Sequence, residues 1–270
     1  MKRNNSELKR LARETLTGHY GVPMTGMVLI SLIPNLLILP FDMNLSNNIS
    51  QTAIFYIASL FISVLAFLLS CGLCRLHLNM RRKKVYGFRD IFYFFTHHPD
   101  RLIRGYFALI GISLLVCLPT LLLAGVCFYF LSMADSASGI FLNNTLLSVI
   151  AIILGIILLI PAIPILYNYS FSVYLLIDNS EMTIKAALKK SHHMMKGNRF
   201  HLFVLQISFL GWFLLGICSC FIGFLWIEPY YEQTIVSFYF ELTGETDRLE
   251  TQHASSDSAS DEQPHFEAYC

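Results

Sequence analysis

Two long stretches of this sequence contain no lysine and no arginine, residues 14–74 and residues 105–184. Charged residues make up only 14% of the chain, where a water-soluble domain has about a quarter, and hydrophobic residues make up 55%. The mean hydropathy is correspondingly high, at +0.56. No segment between the hydrophobic runs is long enough to build an aqueous domain, so the composition argues against a water-soluble globular protein.

Motifs of the common enzyme and nucleotide-binding classes are also absent. The chain has no P-loop, no dinucleotide-binding fingerprint, no H-E-x-x-H and no G-x-S-x-G. Cys71 and Cys74 have the spacing of a redox pair, but they close a hydrophobic run, at the negative end of a helix dipole, where a thiolate is not stabilised. The sequence therefore predicts no catalytic residue, no metal site and no cofactor.

Long hydrophobic runs occupy most of the chain. A hydrocarbon core about 30 Å thick needs about 20 apolar residues in a helix. Five runs reach that length, and a sixth is doubtful because it contains Glu228, Pro229 and Glu232. The sequence therefore predicts an all-α, polytopic transmembrane helical bundle of six spans. The predicted spans are residues 22–41, 53–74, 106–131, 145–176, 202–221 and 221–242.

The positive charge is concentrated in three clusters. Of the 19 lysines and arginines, all but Arg248 lie near the N-terminus, in residues 75–104 or in residues 178–201. The loops at residues 42–52 and 132–144 carry none. Multi-pass membrane proteins concentrate such cations in their cytoplasmic loops. The pattern predicts that both termini and all three clusters face the cytoplasm.

Each basic cluster contains a candidate amphipathic helix, then a break, then an outward span, so the sequence has a weak internal repeat. In the first unit one helical face carries Leu8, Leu11, Ala12, Thr15 and Leu16. The corresponding residues before the break are Ile91, Phe92, Phe94 and Phe95 in the second unit, and Ile184, Ala187, Leu188, Ser191 and Met195 in the third. The repeat predicts cytoplasmic amphipathic helices, each followed by a hairpin of two spans.

The end of the chain differs in composition from the rest. Residues 243–270 are rich in Asp, Glu, Ser, Thr and Gln and contain a single cation, Arg248. A segment with so few apolar residues cannot build a packed core. We therefore predict a transmembrane domain over residues 1–242 and a disordered acidic tail over residues 243–270.

Two polar features inside the hydrophobic runs are candidates for a cavity. Glu228 and Glu232 are four residues apart and share a helix face, and carboxylates within a membrane usually face a cavity or a substrate path. Interfacial placement beside Trp226 is the alternative. Asn168 and Ser172 also share a face, which fits either hydrogen bonding between helices or a cavity lining. If the cavity exists, we expect Asn168 to face Glu228.

The basic run from Arg81 through Arg82 and Lys83 to Lys84 lies directly beside a predicted span. Anionic lipid headgroups attract such residues by about 1 kcal/mol each near the membrane surface. The run therefore predicts contact with lipid headgroups, and the alternative is that it only sets the topology. We expect no nucleic-acid binding, because no fold surrounds the run.

Five short stretches carry a resemblance to a known family. They are residues 186–191, 195–199, 207–212, 223–230 and 238–239. The pattern resembles a family of bacterial multi-pass integral membrane proteins catalogued as domain of unknown function 975. The resemblance covers about residues 5–242. It implies a multi-pass protein of the bacterial plasma membrane and brings no activity, substrate or catalytic residue.

These observations favour a non-enzymatic, membrane-embedded component that acts in binding, in support of transport or in the cell envelope. Its expected partners are the lipid bilayer and anionic headgroups, with another membrane protein or a second copy of the chain as further candidates. A small transporter that uses a polar cavity near Asn168 and Glu228 is the alternative. An intramembrane lipid-acting enzyme is a second alternative, which the missing catalytic motifs disfavour.

Overall fold

The structure is a computed structural model that describes residues 3–42, 49–138 and 160–251, together with residues 149, 153, 155 and 157. Every regular element within these residues is a helix, which confirms the predicted all-α class. The helices with defined ends are α1 (Asn5–Leu16), α2 (Gly21–Asp42), α3 (Ile49–Arg81), α4 (Phe88–Ile91), α5 (Tyr93–Thr96), α6 (Pro99–Ser138), α7 (Ala162–Tyr167), α8 (Ser172–Asp178), α9 (Ile184–Met195), α10 (Arg199–Ile207), α11 (Leu210–Cys218) and α12 (Phe224–Thr243).

The chain folds as two compact units. The first combines Met1–Pro99 with His201–Cys270, and the second is Asp100–Phe200. In the first unit, α2 packs on α3, α1 and α3 pack on α12, and the short helices α4 and α5 pack on α3. In the second unit, α8 packs on α9, and the Arg101 guanidinium donates hydrogen bonds to the backbone carbonyls of Leu176 and Ser180.

Helix α1 is the amphipathic helix predicted in the first basic cluster. The side-chain oxygen of Asn4 accepts a hydrogen bond from the backbone N–H of Asn5 at 2.7 Å and caps the helix. The apolar face is buried, whereas Arg10, Arg13 and Glu14 on the other face are exposed. The buried residues are Leu8, Leu11, Ala12 and Leu16.

The other two repeat units are realised differently. Helix α9 is a second amphipathic helix, capped by Thr183, which buries Ala187, Ser191 and Met195. The middle unit is broken into the one-turn helices α4 and α5 because Phe92 between them has non-helical backbone angles. All three units end in a left-handed residue, with φ of +79° at Gly18, +53° at His98 and +84° at Gly197. The predicted breaks therefore lie where the sequence placed them.

Four helical segments are long and apolar enough to cross a membrane: Gly21–Phe41, Ile49–Arg81, Pro99–Val126 and Arg199–Cys218. They correspond to the first, second, third and fifth predicted spans. The fourth predicted span, residues 145–176, is described continuously only from residue 160, and before that only residues 149, 153, 155 and 157 are described. Its described end consists of α7 and α8, separated by residues 168–171.

The sixth predicted span, residues 221–242, is not one of these four segments. Its helix, α12, is enclosed by protein over its second half, where every residue from Gln233 to Phe240 is buried. Gln233 is also tied to α3, because its side-chain oxygen accepts a hydrogen bond from His77 Nδ1 at 2.7 Å. The apolar residues that suggested a span pack against other helices.

The end of the described chain is helical. Helix α12 ends at Gly244, which has a φ of +71°, and residues 245–251 form a further helical segment. Within the predicted tail, residues 245–251 are helical, and Glu245, Asp247 and Glu250 pair with arginines of the first unit. Residues 252–270 lie outside the described residues.

Candidate anion-binding cavity

A cavity of about 690 Å³ opens in the first unit between α1, the end of α3 and residues 249–250. The turn between α1 and α2 contributes His19, whose ring packs edge-on against Tyr86 at a centroid distance of 5.9 Å. Cations outnumber carboxylates in the wall. The cations are Arg10, Arg81, Lys83 and Lys84, and the carboxylates are Glu14 and Glu250.

The way α3 ends places two of these lysines. The N–H of Lys83 donates to the carbonyl of Met80 and the N–H of Lys84 donates to the carbonyl of Asn79, both at 3.0 Å. These two bonds are the pairing of a Schellman C-cap. Lys83 takes a φ of +53°, a left-handed conformation that costs a residue with a β-carbon about 1–2 kcal/mol. A lysine therefore occupies a position that ordinarily favours glycine.

The two cavity arginines differ in their partners. Arg10 Nη1 lies 2.8 Å from Glu14 Oε1, one turn further along α1, and both side chains are exposed. Arg81 Nε is buried and has no hydrogen-bond partner among the described residues. A buried N–H of a guanidinium is well satisfied by an anionic oxygen, which makes a short, charge-assisted hydrogen bond. The cavity thus has the chemistry to hold a phosphate or carboxylate group.

Arg82 differs in its contacts from the other three residues of the predicted headgroup-binding run. Arg81, Lys83 and Lys84 line the cavity, whereas Arg82 forms a bidentate ion pair with Glu245. The distances are 2.5 Å from Nε to Oε1 and 2.7 Å from Nη2 to Oε2. The guanidinium also lies 5.1 Å from the centroid of the Phe240 ring. Its charge is therefore directed at the chain's own C-terminal acids.

A second ion-pair group involves residues 245–251, which we call the C-terminal arm. Arg3 contacts Glu241 at 2.5 Å, Asp247 at 2.7 Å and Glu250 at 2.8 Å. Burial acts to lower the pKa of Arg3, but the hydrogen bonds to Glu241 and Asp247 outweigh it, so the pKa lies above its ordinary value. The arm is thus held by Arg3, which precedes α1, and by Arg82, which follows α3.

The residues of the other predicted cavity lie in different units. Asn168 and Ser172 belong to the second unit, where both are buried. The Ser191 hydroxyl donates to the Asn168 carbonyl at 2.8 Å, a contact between α9 and the residue that follows α7. Glu228 and Glu232 belong to the first unit, near the start of α12. A cavity shared by these four residues stays a prediction.

Sequence reasoning missed three contributors to the first unit. Arg10 and His19 belong to the first basic cluster and its break, and only the fold brings them to the end of α3. The buried side chains of His77 on α3 and Gln233 on α12 form a hydrogen bond between residues that are 156 positions apart in sequence. The polar character of Gln233 within an apolar run was the only signal for the pair, and it does not identify a partner.

The described fold is all-helical and has four segments long and apolar enough to cross a bilayer, which is compatible with the class of multi-helix membrane proteins. Within that class, the chain matches the family described as protein of unknown function (DUF975) over residues 1–246, and it belongs to that family. The family resemblance seen in the sequence is thereby confirmed. No curated protein and no solved structure matches the chain.

Proposed function

We propose that this protein is a non-enzymatic component of the bacterial plasma membrane that binds the phosphate group of anionic lipid headgroups in the cavity beside Arg81. The observation that carries the proposal is the convergence of four cations on one cavity, one of them with a buried, unpartnered N–H. Phosphate oxygens accept several such hydrogen bonds at once. Lys83 supports the proposal because this cation of the cavity wall occupies a left-handed position that ordinarily favours glycine.

The position of the cavity in the chain supports a lipid ligand. His19 lies two residues before α2, and Lys83 lies two residues after α3. Both helices are candidate membrane spans. Side chains at the ends of spans lie at the level of the headgroups, where lysines and arginines extend toward phosphates. A headgroup could therefore enter the cavity without leaving the bilayer.

The polar groups of the wall support binding over catalysis. The hydroxyls of Thr15 and Thr17 line the cavity, and each donates to a backbone carbonyl of α1, at 2.8 Å and 2.7 Å. Hydroxyls held in this way are not oriented toward a general base. We therefore propose that the protein acts by binding. Any role in transport or in the cell envelope would depend on its partners.

In this proposal the three basic clusters, helices α1 and α9 and both termini face the cytoplasm. The clustering of cations beside apolar runs supports this orientation. The ion pairs of Arg3 and Arg82 with residues 241–250 also bring the N-terminus, the end of α3 and the C-terminal arm to one side of the first unit. The four spans predicted before residue 178 would return the chain to the cytoplasm, so the proposed orientation does not depend on residues 202–242.

We expect the protein to prefer phosphatidylglycerol over phosphatidylcholine, and Lys83→Gln with Lys84→Gln to weaken that preference by up to about 30-fold. The estimate takes about 1 kcal/mol for each cation near a charged membrane surface. The measurement is retention of each lipid by the purified protein in nanodiscs of defined composition, with inorganic phosphate added as a competitor in parallel.

The matched control is Lys189→Gln with Lys190→Gln, which removes the same charge from exposed positions of α9 outside the cavity wall. We expect this control to retain the preference. Equal losses in both double variants would show a general charge effect and contradict the cavity site. Full competition by inorganic phosphate at millimolar concentration would identify a soluble phosphate ligand in place of a lipid.

A further inference from the structure

Helices α10, α11 and α12 form an antiparallel hairpin in the first unit. We propose that the closed end of this hairpin, residues 210–227, enters the hydrocarbon core from the cytoplasmic side and returns to the same side, with the exposed Glu228 at the level of the headgroups. Its exposed apolar side chains would then contact the acyl chains of one lipid leaflet. The last two predicted spans would be one re-entrant hairpin.

Ring and hydrogen-bond contacts set the register of the hairpin. The Gln206 amide donates to the Tyr231 hydroxyl at 2.9 Å, and the rings of Phe209 and Tyr230 lie 5.2 Å apart. Further along, the rings of Phe213 and Phe224 stack at 6.0 Å. Residue numbers rise on one arm as they fall on the other, so both arms begin at one level and meet at residues 219–223.

Polar contacts fix the level at which the hairpin begins. Lys9 Nζ donates to the Ser208 carbonyl at 3.0 Å and lies 4.3 Å from the centroid of the Phe209 ring. Arg13 and Glu14 are exposed further along the same helix. Charged side chains are costly in hydrocarbon, so α1 and the adjoining Ser208 lie at or outside the headgroup region.

The part of the hairpin beyond this level is too short to cross a bilayer. From Phe209 to Cys218 the chain has about ten residues, which span about 15 Å at 1.5 Å per residue. A hydrocarbon core is about 30 Å thick. The closed end therefore reaches about the middle of the membrane, and α12 returns from there to Gln233 and its partner His77.

The backbone of the tip is suited to a medium without water. The N–H of Cys220 donates to the Ile217 carbonyl at 3.1 Å, and the N–H of Phe221 donates to the Gly216 carbonyl at 3.0 Å. The N–H of Gly223 donates to the Ser219 hydroxyl at 2.9 Å. Water could satisfy these groups in an aqueous loop, but in lipid each needs a partner within the chain.

The tip reaches this arrangement through an unfavourable backbone. Cys220 and Phe221 both have left-handed φ angles, +52° and +68°, which are costly for residues other than glycine. The surface around the tip is apolar and exposed, as a lipid-facing surface is. Its exposed large apolar residues include Leu210, Leu214, Leu215, Ile217, Phe221 and Ile222.

Cysteine accessibility tests the hairpin. A variant that keeps only the buried Cys71 and the exposed Cys220 is treated with a membrane-impermeant maleimide, in intact cells and in inverted membrane vesicles. We expect no labelling of Cys220 in either preparation and full labelling after denaturation in detergent. The control is the same background with Cys220→Ser and Asn47→Cys, which should be labelled in intact cells.

Labelling of Cys220 in intact cells would mean that both arms cross the membrane. Labelling in inverted vesicles would mean that the tip lies outside the lipid. Either result overturns the proposal. A nitroxide on Cys220 gives an independent measurement in reconstituted protein, where we expect relaxation by oxygen to exceed relaxation by a polar nickel chelate.

A second inference rests on the proposed function and on a different set of contacts. We propose that the C-terminal arm is an internal competitor for the anion-binding cavity. Leu249 and Glu250 line the cavity together with its cations, and Glu250 Oε2 also lies 2.8 Å from Arg3 Nη2. Glu245 also occupies the guanidinium of Arg82, which would otherwise extend the cationic surface.

The contacts of the arm differ in exposure, which makes its displacement feasible. The side chain of Glu245 is 23% exposed, whereas those of Asp247 and Glu250 are 74% and 55% exposed. Exposed ion pairs are weak because water and salt screen them. The arm would therefore stay anchored at Glu245 while Asp247 and Glu250 separate from Arg3, which would take Glu250 out of the cavity wall.

We expect Asp247→Asn with Glu250→Gln to raise the affinity of the full chain for phosphatidylglycerol by about three- to tenfold, since two exposed ion pairs are removed. The measurement is titration of lipid into protein held in phosphatidylcholine nanodiscs. The control, Asp257→Asn with Asp261→Asn, makes the same change of charge further along the chain and should leave the affinity unchanged.

The outcomes separate the two proposals. If the unaltered protein shows no preference for phosphatidylglycerol, the proposed function fails. If the unaltered protein shows the preference but the arm variant has the same affinity, or if the control raises it equally, the competitor role fails and the cavity site stands.

Discussion

Replacing Gly72 by alanine should lower the free energy of unfolding by about 3 kcal/mol or more, a large part of the roughly 5–15 kcal/mol that a native protein has. Gly72 lies on α3 where α4 crosses it. An added β-carbon would lie 2.6 Å from the Cα of Ile91 and nearer still to the Ile91 carbonyl group. Backbone atoms cannot rotate away as a side chain can, so α4 would have to leave α3. The fully buried side chain of Ile91 would leave with it.

The yield of monodisperse protein in detergent and its thermal unfolding midpoint measure this effect. Gly111→Ala is the matched control, because Gly111 also lies in a long apolar helix but a β-carbon there has no atom within 4 Å. We expect the control to be neutral. A Gly72→Ala protein as stable as the unaltered one would show that α4 does not lie against α3 as described.

Phe238→Ala should cost about 3–5 kcal/mol of stability, the usual range for removing a buried phenylalanine. The Phe238 side chain is 0% exposed, and its ring packs edge-on against the His201 ring at a centroid distance of 5.1 Å. The change would leave a cavity inside the first unit. A phenylalanine on the lipid-facing side of a span would be lost at much smaller cost, because acyl chains fill the space.

The control for this change is Phe221→Ala, at a side chain that is 69% exposed on the tip of the hairpin. Both variants are compared by thermal unfolding in the same detergent and lipid mixture. Similar small losses in the two variants would mean that α12 faces lipid, and the enclosed position of this helix in the first unit would be wrong.

The features predicted correctly from the sequence depend on local spacing. The apolar positions of α1 recur every three or four residues, and Asn4 precedes them as a cap, so the helix and its buried face follow from the sequence. Gly18 and Gly197 mark breaks because a left-handed backbone favours glycine. Long apolar runs also identify α2, α3 and α6 as membrane-spanning candidates.

The features that were missed depend on contacts between distant residues. Hydropathy does not distinguish a helix that faces lipid from one that is buried in protein, so the run at residues 221–242 suggested a span. The pairing of Arg82 with Glu245 joins residues 163 apart, and no local pattern predicts it. Lys83 and Lys84, two of the predicted headgroup contacts, reach the cavity through a Schellman turn at the end of α3. The left-handed position of this turn is usually a glycine, but here it is Lys83, so the sequence does not indicate the turn.

The closure of the first unit by both ends of the chain has a consequence for biosynthesis. Arg3 and Glu241, which pair directly, are separated by 238 residues. Helix α1 therefore leaves the ribosome long before α12. Until α12 is made, the apolar face of α1 is expected to bind the membrane surface, as amphipathic helices do. Contacts so distant in sequence form late. The first unit is completed only after α12 has been translated, and a chain that stops before α12 presents an uncovered apolar helix to quality-control proteases.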